Sequence, residues 1–132
     1  MQPSTSKFSM NERLRKITHK GVSILYTDYT GYSSWDDWRA LIEAERKIMP
    51  NEPLGSVRAV AIFTDSRFTT EVFEAIKQLA VANRPHMKAS ALVGLSSLQK
   101  TAFLKAIERT SDRSFALFDT LDEALDWLVE QK

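Results

Sequence analysis

Strand-like and helix-like stretches alternate along this chain, and few architectures accept such an order. Apolar runs rich in β-formers cover residues 22–29, 57–64 and 89–93, each is followed by a helical stretch, and a shorter unit starts at Phe115. Strands that alternate with helices come back parallel in one sheet, so the pattern predicts an α/β fold with a mainly parallel sheet of four or five strands. The same order gathers the turns at residues 30–33, 65–68 and 94–96 at the carboxyl edge of that sheet, where ligands of such folds usually sit.

A chain of 132 residues fits one domain and buries enough surface to fold without staples. It has no cysteine, which removes disulfides and thiol chemistry. Residues 1–15 lack the apolar core of an export signal, and no apolar run is long enough to span a bilayer, so a cytoplasmic protein is expected. The formal net charge of +1 provides no broad field for a phosphate polymer, which argues against nucleic acid as a partner. The basic cluster Arg13, Arg15, Lys16, His19 and Lys20 reads as a charged, solvated edge strand.

Residues 1–7 are polar and aperiodic and read as a flexible tail, leaving residues 8–132 for the folded domain. Residues 13–18 are expected to pair with residues 22–28 as an N-terminal hairpin turned at Gly21. About four helices should follow. The first is capped by Ser33 or Ser34 and carries the stripe Trp35, Trp38, Leu41 and Ile42, and the second starts at Thr69 or Thr70 and carries Val72, Phe73, Ile76, Leu79 and Ala80. The third opens with the capping-box pair Ser96 and Gln99 and carries the stripe Leu98, Ala102, Phe103, Ala106 and Ile107, and the last opens with Thr120 and Glu123. Small Ala89 and Ala91 leave room for a helix to pack closely on their strand.

Candidate chemistry is sparse, and each candidate has a plain structural reading beside it. The helix starts point backbone donors at one sheet edge and could share a small anion, although every helix needs a cap for its own sake. Tyr29, Tyr32, Trp35 and Trp38 could line a cleft for a lipid-like molecule, yet the tryptophans lie on a stripe that ordinary core packing explains. Asp28 and Asp65 fall at comparable strand ends and could act as acid and base, with turn hydrogen bonding the default. His19 and His86 lack metal-ligand spacing, Ser66 lacks a nucleophile elbow, and Gly94 to Lys100 lacks the second glycine of a phosphate-binding loop. No catalytic set, cofactor or metal is therefore expected.

Taken together, the segments from Gly21 through Asp28 and Tyr29, from Thr64 and Asp65 through Phe68, from Lys88 through Gly94 into Ser96 to Lys100, and from Phe118 through Leu128 resemble a known group. They are similar to the STAS-like short bacterial proteins, relatives of anti-sigma-factor antagonists that are often described alongside lipid-binding CRAL-TRIO folds. The resemblance implies a single STAS-like domain acting as a noncatalytic regulatory or protein-interaction module, responsive to a small anion or ligand. Its partner would be an unidentified regulatory protein. The alternative is a carrier or sensor of a small or lipid-like molecule. The surface so implied comprises Asp28, Tyr29, Tyr32, Asp65, Ser66, Arg67, Ser96, Gln99 and Lys100. Ser66 is the positional match to the phosphorylated residue of antagonist members, whose pattern continues into a small residue, a glycine and an aliphatic one, whereas this chain continues Arg67, Phe68, Thr69. An exposed edge strand or apolar helix face leaves room for a homodimer.

Overall fold

The computed structural model describes residues 10–132, so the expectation for residues 1–7 lies outside the described residues. In chain order the elements are α1 (Met10–Arg13), β1 (Leu14–His19), β2 (Val22–Asp28), α2 (Trp35–Ile48), β3 (Val57–Ile62), α3 (Thr70–Asn83), β4 (Met87–Val93), α4 (Ser97–Ala102), α5 (Glu108–Ser111), β5 (Ala116–Phe118) and α6 (Leu121–Glu130). A π-helical turn over Phe103–Ile107 joins α4 to α5, which makes one long helix of the two. Four main helices result, as the periodicity predicts, with the single turn α1 added before the hairpin.

The five strands form one sheet in the order β1-β2-β3-β4-β5. β1 pairs antiparallel with β2, and the other pairs are parallel. The hairpin closes through Lys20 (φ 50°) and Gly21 (φ 81°), with His19 opposite Val22. Two successive positive φ values give a turn whose twist matches that of the strands, and glycine takes the second at no steric cost. Asp126 of α6 holds this turn by hydrogen bonding to His19 Nε2 at 2.8 Å and pairing with Lys20 Nζ at 2.9 Å.

Right-handed crossovers between strands laid down in sequence order must all pass over the same face. One side of the sheet is accordingly covered by α2, α3 and the α4–α5 helix, with Trp38, Leu41, Val72, Ile76, Phe103 and Ile107 packed on Tyr29, Phe63 and Leu92. Among the described residues the other side receives α6 alone, whose Ala124, Leu125 and Leu128 meet Ile24, Val60, Ile62, Ala91 and Val93. Ala89 and Ala91 lie under α6, where their small side chains let the helix approach. The alternation of Val60 and Ile62 toward α6 with Ala61 and Phe63 toward α2 and α3 explains why β3 reads as apolar on both faces.

Candidate functional site

The parallel strands deliver three loops to one rim, and backbone hydrogen bonds fasten those loops to one another. Gly31 N donates to Thr64 O at 2.9 Å and Arg67 N to Tyr32 O at 2.9 Å, which ties the β2–α2 loop to the β3–α3 loop. Phe63 N donates to Val93 O at 2.8 Å, and Gly94 N to Phe118 O at 3.2 Å, extending the tie through the β4–α4 loop toward β5. At Gly94 (φ +77°) the chains pass so closely that a built Cβ would stand 2.3 Å from Thr64 Oγ1 and 3.1 Å from Thr64 Cα and N. Only glycine combines that dihedral with that approach.

Side chains complete the junction. Gln99 Nε2 donates to both the carbonyl and the hydroxyl oxygen of Ser66, each at 3.2 Å, while its Oε1 accepts from Ser96 N at 2.9 Å. Gln99 N donates to Ser96 Oγ at 3.2 Å, so one glutamine closes the capping box of α4 and grips the neighbouring loop. The Ser66 hydroxyl itself donates to Phe63 O at 2.6 Å. Asp65 and Ser96 therefore share a rim, as the alternation of elements predicts.

The nine expected surface residues do not all face outward. Asp65, Arg67 and Ser96 are exposed, and Asp28, Ser66 and Lys100 are half-buried. Tyr29, Tyr32 and Gln99 are buried, which corrects their placement on the surface. Tyr29 stacks on Trp38 at 4.8 Å and on Phe63 at 5.2 Å, with Tyr32 edge-on to Trp38 at 6.0 Å. These rings fill the space read as an aromatic cleft. Their burial wins because three helices cover that face, leaving the amphipathic rings more to gain inside than at the water line.

The helix starts behave as caps. Ser34, Thr69, Ser96 and Thr120 accept from the backbone N–H of Asp37, Val72, Gln99 and Glu123 respectively. Asp28 Oδ1 accepts from the backbone N–H and hydroxyl of Thr30, and Oδ2 from Tyr26 Oη, so this carboxylate is engaged in its own turn. Among the described residues no group of three or more His, Cys, Asp or Glu side chains could hold a metal ion.

Two features escape the sequence reading. Arg13, read as a charge guarding the edge, is buried and donates through Nη1 to Asp28 O at 2.7 Å and Thr30 O at 3.0 Å, with its guanidinium 4.2 Å from the Tyr32 ring centre. It clamps the β2–α2 loop from inside. The second feature is a buried polar cluster under the sheet. Glu45 accepts from Thr27 Oγ1 at 3.0 Å and from Asn83 Nδ2 at 2.7 Å, and nearby Arg113 donates to Ala80 O at 3.1 Å and to Ser90 Oγ at 2.5 Å. Burial raises the Glu45 carboxyl above its ordinary value against the pull of Thr27, Asn83 and Arg113, and burial lowers Arg113 to about 10. The signal for Glu45 lay in the stripe Trp38, Leu41, Ile42, whose next inward position it occupies.

Comparison with known proteins reveals the same architecture elsewhere. An uncharacterized protein of the DUF3478 family from Shewanella loihica PV-4, which has a SpoIIAA-like fold, superposes with a TM-score of 0.70 at 17% sequence identity, covering 87% of this chain and 91% of that one. The likeness shows the fold, which is the SpoIIAA-like and hence STAS-like one expected from the sequence. No family model matches the chain, and no curated protein matches it. Among the described residues no helix is long and apolar enough to cross a membrane.

Proposed function

We propose that the carboxyl rim is the docking surface of a noncatalytic regulatory module that binds another protein in the cytoplasm. The observation that carries this reading is Leu98, which the helical stripe places inward with Phe103 and Ile107 but which instead stands 85% exposed in the first turn of α4. It follows directly on Ser96 and Ser97, and its neighbour Gln99 is bonded to the loop that bears Asp65 and Arg67. An exposed apolar side chain flanked along the chain by Ser96, Ser97, Gln99 and Lys100 has the composition of an interface centre with a polar rim. The platform beneath it is already tied together, so little ordering entropy would oppose association.

Ser66 is the switch position in this reading. A phosphoryl group on its Oγ would displace the bonds to Phe63 O and Gln99 Nε2 and place about two negative charges beside Arg67.

The test is capture of a discrete partner by the full chain. Leu98→Glu and Arg67→Glu should each weaken capture at least about tenfold, as loss of an interface anchor does, with an unchanged unfolding midpoint. Leu54→Glu, which alters an equally apolar and 74% exposed side chain ahead of β3 at the opposite edge, should leave capture intact. Equal capture by all three variants would reject the rim.

A further inference from the structure

Beneath the sheet lies a second feature that the rim does not use. A cavity of about 60 Å³ is walled largely by Ala59, Ala61, Ile76, Leu79 and Phe103, and the polar cluster of Glu45, Asn83, Ser90 and Arg113 borders it. The space arises at β3, where Ala59 and Ala61 occupy successive positions on the face that Phe63 fills further along. It exceeds the roughly 10–15 Å³ that a single water needs and falls well short of the about 150 Å³ that accommodates benzene. Its natural occupant therefore has only a few heavy atoms.

Tyr29 gives the cavity a direction. Its ring lines the space at 1% exposure, and its hydroxyl has no hydrogen-bond partner among the described residues. Buried hydroxyls in native folds are almost always bonded, so a free one on a ring that lines a cavity marks where a partner belongs. Glu45 complements it. Each of its two oxygens accepts one bond from the protein and keeps a further lone pair.

Arg113 connects the cavity with the surface. It lines both the cavity and an outer groove bordered by Arg84, Lys88 and Asp112, and Ser90 and Met87 are shared between the two spaces in the same way. The way in thus runs from the amino half of β4, away from the rim. With a carboxylate on one side and a guanidinium on the other, an added charge would be attracted by one and repelled by the other.

From this arrangement the geometry points to a buried site for a neutral molecule of about four heavy atoms, of the small amide or alcohol class, which accepts from Tyr29 Oη and donates to Glu45. The apolar wall of alanine, leucine and phenylalanine covers the ligand's carbon end. Binding of this kind is independent of the rim and survives if the docking reading fails.

Acetamide tests the site, with acetate and isopropylammonium, each of the same number of heavy atoms, as charged controls. Backbone amide resonances of Thr27, Tyr29, Ser90 and Arg113 in the full chain should shift saturably over about 10–100 mM acetamide, a range set by the small binding energy available to four heavy atoms. The charged controls should bind at least about tenfold more weakly, because each must leave water beside a like charge. Tyr29→Phe should weaken acetamide about fivefold, the share of one hydrogen bond, while the protein remains folded. Ala61→Val, which fills the cavity, should abolish the response. A cavity holding water only, with no saturable shift by about 100 mM, would overturn the proposal. So would undiminished binding by Tyr29→Phe, or shifts confined to surface residues.

Discussion

Gly94→Ala should lower the unfolding free energy by about 2–4 kcal/mol, the range reached when backbone strain and a backbone clash coincide. Two terms add. The residue sits at φ +77°, where an L side chain is strained by roughly 1 kcal/mol. Its new methyl would also meet Thr64, and although Oγ1 at 2.3 Å can rotate away, Cα and N at 3.1 Å belong to the backbone and can yield only if the β3–α3 loop shifts. Gly55→Ala isolates the first term, because Gly55 has φ +66° and nothing within 4 Å of a built Cβ. Urea unfolding of both variants should give a loss of about 1 kcal/mol for Gly55→Ala and at least twice that for Gly94→Ala, with unchanged slopes. Equal losses would mean that the close approach of the two rim loops is not structurally important.

Asn83→Ala should cost about 2–3 kcal/mol at neutral pH, the loss that follows when a buried carboxylate is deprived of a donor. Asn83 is 4% exposed and holds Glu45 Oε2 at 2.7 Å, so removing it leaves Thr27 as the remaining hydrogen-bond donor to that carboxylate. The penalty has a pH signature whose sign follows from the raised Glu45 value. A carboxyl whose folded pKa lies above its ordinary 4.5 contributes stability that is complete below 4.5 and is lost as pH rises through the folded value. Removing the Asn83 donor raises the folded value further, so the loss continues over a wider span. The gap between wild type and variant should therefore stay at about 1 kcal/mol while Glu45 is protonated in both folded proteins, and widen as pH rises through the wild-type folded value, which lies above 4.5. Unfolding measured from about pH 4 to about pH 8 checks this, and a gap that does not change with pH would contradict it.

The elements and their order were legible because local signals agreed with the global fold. Val57 to Ile62 needed no context to be a strand, and the Ser96 and Gln99 pair marks the start of α4 whatever surrounds it. The direction of side chains at the rim was less accessible. Tyr29 follows directly on a strand whose two faces are both covered by helices, so period two alone does not distinguish a ring in the core from one at the surface. Gln99 was read both as a cap and as a surface residue. Closing the box turns its side chain back onto Ser96 and Ser66, and burial follows.

Long-range polar contacts were the least visible part. Arg13 reaches backbone carbonyls 15 and 17 residues away, and Glu45 meets an asparagine 38 residues along the chain. Neither pairing leaves a local pattern. The position of Glu45 on an apolar stripe did mark it for burial, since a charge is placed inward only where partners await it. The π-helical turn over Phe103–Ile107 has no comparable signal, as its residues are ordinary helix formers.

Site-specific photocrosslinking in cells tests the rim most directly. A photoreactive residue placed at Leu98 should give one discrete protein adduct, and the same residue at Leu54, similarly exposed at the far end of the sheet, should give none. An adduct from position 54 but not 98, the same adduct from both, or none from position 98 would contradict the assignment of the carboxyl rim as the docking surface.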